Sequence, residues 1–127
     1  MKRLVISFLL ILLLTGLSAL HVSHLQSLTD GLISQLEEVK DALNHSGWVD
    51  AQAVMDDIFQ QWEKHGFYLH TLLRHTDIDG IRSSLKEAQA YLERQEDTAE
   101  CLAVTARLIN QLELLLEAEL PTLKNLL

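Results

Sequence analysis

Cysteine, proline, glycine and basic residues are all scarce in this sequence, and each scarcity closes off a class of structure or function. The single cysteine among 127 residues, Cys101, leaves no internal disulfide and no cysteine-based metal cluster, so an exported form would have to fold without a covalent staple. One proline and five glycines leave long uninterrupted stretches. The abundance of Leu, Glu, Gln and Ala suits helices, because these side chains lose little rotamer freedom there. Few runs favour strands. There is no H-E-x-x-H, no Gly-rich phosphate loop and no G-x-S-x-G elbow, the signatures that mark zinc hydrolases, nucleotide binding and serine hydrolases.

Basic residues number 10 against 18 acidic ones. Two of the ten, Lys2 and Arg3, stand at the start, where residues 1–20 hold no acid, so the rest of the chain carries a net charge of −10. Such a surface repels phosphate backbones and anionic lipid headgroups, which argues against nucleic acid and against membrane attachment by charge. A basic partner or a cation would be tolerated. The length suits one small domain with a short appendage.

The appendage is LVISFLLILLLTGLSAL, Leu4 to Leu20, 17 residues without a charge. As a helix it covers about 26 Å, close to the lower limit for crossing a hydrocarbon core of roughly 30 Å, with Lys2 and Arg3 able to snorkel. It reads as a membrane span or as a signal peptide. The cleavage signal is poor: a cut after Ala19 puts Leu17 at the third position back, whereas a cut after Ser18 offers Gly16. The absence of cysteine near residue 20 speaks against a lipoprotein. An uncleaved anchor over residues 1–24 is the preferred reading, with export after cleavage as the alternative. Positive charge stays on the cytoplasmic side, so Lys2 and Arg3 place residues 25–127 outside.

From Leu25 the pattern becomes amphipathic. Leu25, Leu28, Leu32, Leu36, Val39 and Leu43 recur every three or four residues, which predicts a helix ending near Asn44 to Gly47. Only Thr29, Asp30 and Gly31 weaken the join to the apolar run, so anchor and first helix are expected to be continuous. Trp48, Ala51, Met55, Ile58 and Trp62 predict a second helix that stops before Gly66 and buries both tryptophans. Residues 25–65 therefore read as an antiparallel hairpin. Ile78, Ile81, Leu85, Ala88 and Leu92, then Cys101, Leu108, Leu112 and Leu115, predict a second hairpin over 77–127, broken around ERQED (93–97). Between them, residues 66–76 read as a linking helix with Tyr68, Leu69, Leu72 and Leu73 on one side. Pro121 is expected to stop the fourth helix or to begin a last turn with Leu123, Leu126 and Leu127. At an offset of 49, residues 30–43 overlay 79–92; at 50, Val54 meets Val104 and Ile58 meets Leu108. The expected fold is all-α: an N-terminal transmembrane helix, then an antiparallel bundle of four or five helices that is a degenerate tandem repeat of hairpins.

Taken together, the short basic start, the Leu/Ile-rich span, Gly47-Trp48 with Ala51, Trp62, the H-x-D-I-D joint from His75 to Asp79 and the Leu-Lys-Asn-Leu ending at Leu123 to Leu126 resemble the bacterial family described as domain of unknown function 4363. The resemblance spans essentially the whole chain. It implies a small single-span or exported helical protein of Gram-positive, often spore-forming, bacteria, and supplies no catalytic residue to carry over.

Candidate chemistry centres on RHTDIDG, residues 74–80. His75, Asp77 and Asp79 offer an imidazole and two carboxylates to a metal. The favoured reading is a helix start, with Thr76 or Asp77 capping, Asp79 in the first turn, and Ile78 and Ile81 turned to the core. On a helix Asp77 and Asp79 stand about 200° apart and do not chelate one ion. His65, His70 and His75 recur every five residues, a turn of about 140° that would scatter them on one helix. His21 and His24, at i and i+3 just beyond the apolar run, are further candidates for a metal or pH role, although polar residues at headgroup level are commonplace. Cys101 is expected to be a buried, inert thiol. The acidic runs Glu37-Glu38, Asp56-Asp57 and Glu93 to Glu100 read as solvated. The resulting expectation is a non-enzymatic interaction module of the cell envelope, without cofactor or nucleic acid, whose partner is another envelope or membrane protein or a second copy. A metal- or proton-responsive sensor using His21, His24, His70, His75 and the acidic surface is the alternative.

Overall fold

The computed structural model describes residues 1–126, with side chains placed through Glu119. Five helices follow one another: α1 (Lys2–Asn44), α2 (Trp48–Lys64), α3 (Gly66–Leu72), α4 (His75–Arg94) and α5 (Thr98–Leu126). There is no strand among the described residues.

At 43 residues α1 is about 65 Å long, and its two halves meet different surroundings. The large apolar side chains from Leu4 to Leu20 are all more than half exposed, and the helix is long and apolar enough there to cross a membrane. Packing begins at Val22, so the helix runs through the expected boundary at residues 24 and 25 without a joint. Beyond it, Val22, Leu25, Thr29, Leu32, Leu36, Val39 and Leu43 form one buried stripe. Leucine and valine at that spacing commit a single face to the core, and the charged positions between them stay in solvent.

Helix α1 packs against α2 and α5, and α4 packs against α5 and α2, which makes an up-down-up-down four-helix ring. Cross-helix bonds fix the register. Gln35 Nε2 donates to Asp57 at 2.6 Å between α1 and α2, and Gln52 Nε2 to the Leu92 carbonyl at 2.8 Å between α2 and α4. Arg82 pairs with Glu63, and Arg107 with Glu87. The seam is filled by Met55, Ile58, Trp62, Leu85, Leu92, Leu108 and Leu112, each at 2 % exposure or less. Burial repeats at the offsets seen in the sequence: Leu32, Leu36, Val39 and Leu43 correspond to Ile81, Leu85, Ala88 and Leu92, and Ala51, Ile58 and Trp62 to Cys101, Leu108 and Leu112.

The two turns at the far end of the bundle solve one problem alike. After α1, Ser46 takes φ 58°, its N–H bonds to Leu43 O at 3.2 Å, and Gly47 N–H bonds to Ala42 O at 2.7 Å. This pairing satisfies two carbonyls that a helix end leaves open. A Cβ on Gly47 would lie 3.2 Å from Ala42 O, which explains the glycine before Trp48. After α4, Gln95 is left-handed at φ 55° and bonds to Tyr91 O.

Several expectations are corrected. Leu72 does not join Tyr68, Leu69 and Leu73 on the covered side but is 51 % exposed, because α3 ends there and Leu73 is extended. Trp48 is half-buried at the helix start, unlike the buried Trp62. Helix α5 continues through Pro121 to Leu126; a proline removes one amide donor, and the backbone remains helical on both sides of it. The side chains of Leu123 and Leu126, and all of Leu127, lie outside the described residues.

Truncating the centre of the seam should be costly. Leu36→Ala is expected to lower bundle stability by about 2–5 kcal/mol, whereas Leu12→Ala, on the uncovered stretch, should leave it unchanged. Denaturant unfolding in detergent micelles, followed through the buried Trp62, measures both.

Candidate functional site

Five of the six histidines gather at the end of the bundle where the apolar half of α1 emerges. His21 lies on α1 one residue before the first core side chain. Its Nδ1 is 2.5 Å from the Tyr68 hydroxyl of α3, and its Nε2 is 3.3 Å from Glu119 Oε2 of α5. A carboxylate only accepts, so Nε2–H donates to Glu119, and neutral His21 then accepts the Tyr68 proton at Nδ1. The Tyr68 oxygen also stands 3.3 Å from the His21 carbonyl. His24 meets the Tyr68 ring edge-on at 4.8 Å and lies 5.9 Å from the His65 ring. Three helices are thus tied by one half-buried imidazole.

The reason these groups meet is topological. Tyr68 is 47 residues from His21, and Glu119 is 98; they converge because α1 is antiparallel to α5 and because α3 folds across the end of α2. Above them, Leu14, Leu17, Leu20 and Leu72 wall an open groove of about 540 Å³ whose floor is His21, His24, Tyr68 and Glu119. Among the described residues the wall is apolar apart from the Ser18 hydroxyl, and the floor carries the ionisable groups.

Burial raises the pKa of the Tyr68 phenol above its ordinary value, and the charge of Glu119 adds to the rise. The neutral phenol is therefore the stable form at this contact. Burial likewise pushes the Cys101 thiol up, aided by Asp97 and Glu100, so Cys101 is a poor nucleophile at neutral pH.

The RHTDIDG segment is not capped as expected. Helix α4 begins at His75 with Arg74 as N-cap, and no side chain, neither Thr76 nor Asp77, bonds to its free amides. Asp77 occupies the first turn; Asp79 falls beyond it, because the helix starts earlier than the polar residues suggest. Ile78 and Ile81 are buried as expected. The histidines at 65, 70 and 75 do not share one helix. The extended residues Leu73 and Arg74 fold α4 back so that His70 Nδ1 and His75 Nδ1 lie 3.2 Å apart in solvent. Asp77 and Asp79 do not join this pair: among the described residues no group of three or more His, Cys, Asp or Glu side chains is placed to hold a metal. His24 belongs with His21, as their spacing indicates, but in contact with Tyr68 and His65. The roles of Tyr68 and Glu119 had no signal in the sequence, since nothing local pairs them with His21.

The Tyr68 contact generates a pH-dependent prediction. A phenol whose pKa is higher in the folded than in the unfolded protein contributes stability that is complete below the unfolded value and is lost as pH rises through the folded one. Stability should therefore fall above about pH 10, and Tyr68→Phe should flatten that fall while costing about 0.5–1.5 kcal/mol at neutral pH for the lost bond. Denaturant midpoints across the alkaline range, with phenolate absorbance as a second readout, check both.

No curated protein and no solved structure matches the chain. A family model described as "Domain of unknown function (DUF4363)" matches residues 19–126, from the groove end of the apolar stretch to the last described residue. With nearly all of the bundle inside that match, the chain belongs to the DUF4363 family.

Proposed function

We propose that the protein is a non-enzymatic, membrane-anchored interaction module of the bacterial envelope. The observation that carries this reading is the contrast within α1: its first half is apolar on every side and uncovered, while its second half is fully used in a complete bundle core. An apolar surface of that extent, at the start of a helix of spanning length, suits a lipid environment. Lys2 and Arg3 on the cytoplasmic side would put the bundle outside as a single-pass protein, with export after signal cleavage as the alternative. Confinement to the membrane raises the effective concentration for a partner in the same membrane, and the helical faces left in solvent are the scaffold it would meet. The partner would be another envelope or membrane protein, or a second copy. The strongly acidic bundle disfavours nucleic acid, and no catalytic role is assigned.

Crosslinking in intact cells followed by pull-down should recover a reproducible partner; recovery of this chain alone would replace it with self-assembly. Orientation has a separate test, because Gln95 is exposed at the far turn and Cys101 is buried. Gln95→Cys should react with an impermeant thiol reagent on intact protoplasts while the unsubstituted protein does not. Protection of position 95 until the cells are opened would invert the topology.

A metal- or proton-responsive role is favoured by one specific arrangement, the His70–His75 pair at 3.2 Å. Two imidazoles alone fill half of a tetrahedral site, so under the interaction reading zinc titration should give no heat at micromolar concentration. Micromolar binding that His70→Ala abolishes would decide for the sensor.

A further inference from the structure

The net charge conceals a local reversal. Between Glu63 and Asp77 the chain holds no acidic residue, yet it carries Lys64, His65, His70, Arg74 and His75. The same 13 residues contain the most exposed large apolar side chain among the described residues of the bundle, Phe67 at 88 %, together with Leu72 at 51 %. Leu69 from the opposite side of α3 is completely buried. This short helix therefore turns Leu69 to the core and leaves Phe67 and Leu72 exposed about 140° apart around it, with Lys64 and Arg74 on its flanks.

Its place in the fold makes that arrangement directional. Tyr68 touches His21, and Leu72 shares the groove with Leu14, Leu17 and Leu20, so α3 lies beside the point where the uncovered apolar helix leaves the bundle. Of the nearest acids, Glu63 is bonded to Arg82 and Glu119 faces His21, while Asp77 is exposed in the first turn of α4. Asp79 and Glu117 are exposed within a turn of Asp77 and Glu119, and the other acids lie along the bundle and at its far turns.

We infer that α3 and its flanks form a second membrane contact, a surface on which Phe67 and Leu72 enter the interfacial layer and Lys64, Arg74 and the histidines meet anionic phospholipid headgroups. The inference rests on the anchoring of α1. Exposed apolar residues bordered by cations are what a helix lying in the headgroup layer requires, and each Lys or Arg near an anionic surface adds its own attraction. An acidic protein bound by charge alone would be repelled; at this end Lys64 and Arg74, which flank α3, offset that repulsion locally. The contact holds the bundle down on the bilayer.

The full chain in phosphatidylglycerol/phosphatidylcholine vesicles, with an environment-sensitive fluorophore on Phe67→Cys, Val49→Cys or Leu12→Cys in turn, provides the test; Cys101 is buried and stays in place. Quenching by a lipid-borne nitroxide relative to a water-soluble quencher should be several-fold greater at position 67 than at position 49 of the far turn, and greatest at position 12. The ratio at 67 should fall in vesicles of phosphatidylcholine alone and in the Lys64→Gln/Arg74→Gln variant. If position 12 is in lipid but 67 is as wet as 49, the second contact is overturned and the anchor stands. If position 12 is itself in water, both fail. Protection of 67 from both quenchers would mean that protein, not lipid, covers this surface. Equal ratios in both vesicle types would overturn the electrostatic part.

Discussion

The unbroken backbone of α1 imposes the condition to which the rest of the structure conforms: one helix must pass from a stretch apolar on all sides to a stretch apolar on one. A helix satisfies its own backbone in either setting, so the change is made by side chains alone, between Leu20 and Val22. From there the stripe ending at Leu43 fixes which side of α1 receives α2 and α5. The partner helices then supply matching stripes, and α4 closes the ring because its own apolar side faces the space between α2 and α5. Ion pairs such as Arg82–Glu63 and Arg107–Glu87 are half exposed and add little beyond register. Apolar burial along the seam is the dominant attraction.

His21 sits where the two halves of α1 meet. A purely apolar residue there could pack, but it could not tie α3 and α5 to α1 with directional bonds. The imidazole accepts from one neighbour and donates to the other, and so ties both to α1 at the point where the apolar segment leaves the bundle. Tyr68 gains a partner for its hydroxyl at a position where burial makes an unpaired one costly. Polar chemistry at this junction thus has a geometric role that requires no substrate.

Much of this was legible in the sequence. Stripes such as Leu32-Leu36-Val39-Leu43 and Ile78-Ile81-Leu85 identify buried faces directly, because period and residue type agree. The 49-residue offset anticipated the repeat in burial. What was hidden depended on where helices stop or on what distant segments bring together. Thr76 and Asp77 look like caps, yet α4 starts at His75, since the extended Leu73-Arg74 step turns the chain before the polar residues are reached. That same step pairs His70 with His75, which one-helix geometry would separate. The His21–Tyr68–Glu119 contact joins three elements and has no local pattern at all. Net charge misleads in a related way, since an average over the chain erases the cationic stretch around α3.

A last consequence follows from the missing joint in α1. A flexible linker between an apolar segment and a folded domain acts as a tether, leaving the domain free to spin. A continuous helix acts as a spline: the azimuth of every side chain is set by residue count, at about 100° per residue. The direction in which α3 faces is therefore coupled to that of Leu14 and Leu17, and a rotation of the bundle is passed along the helix to the apolar end.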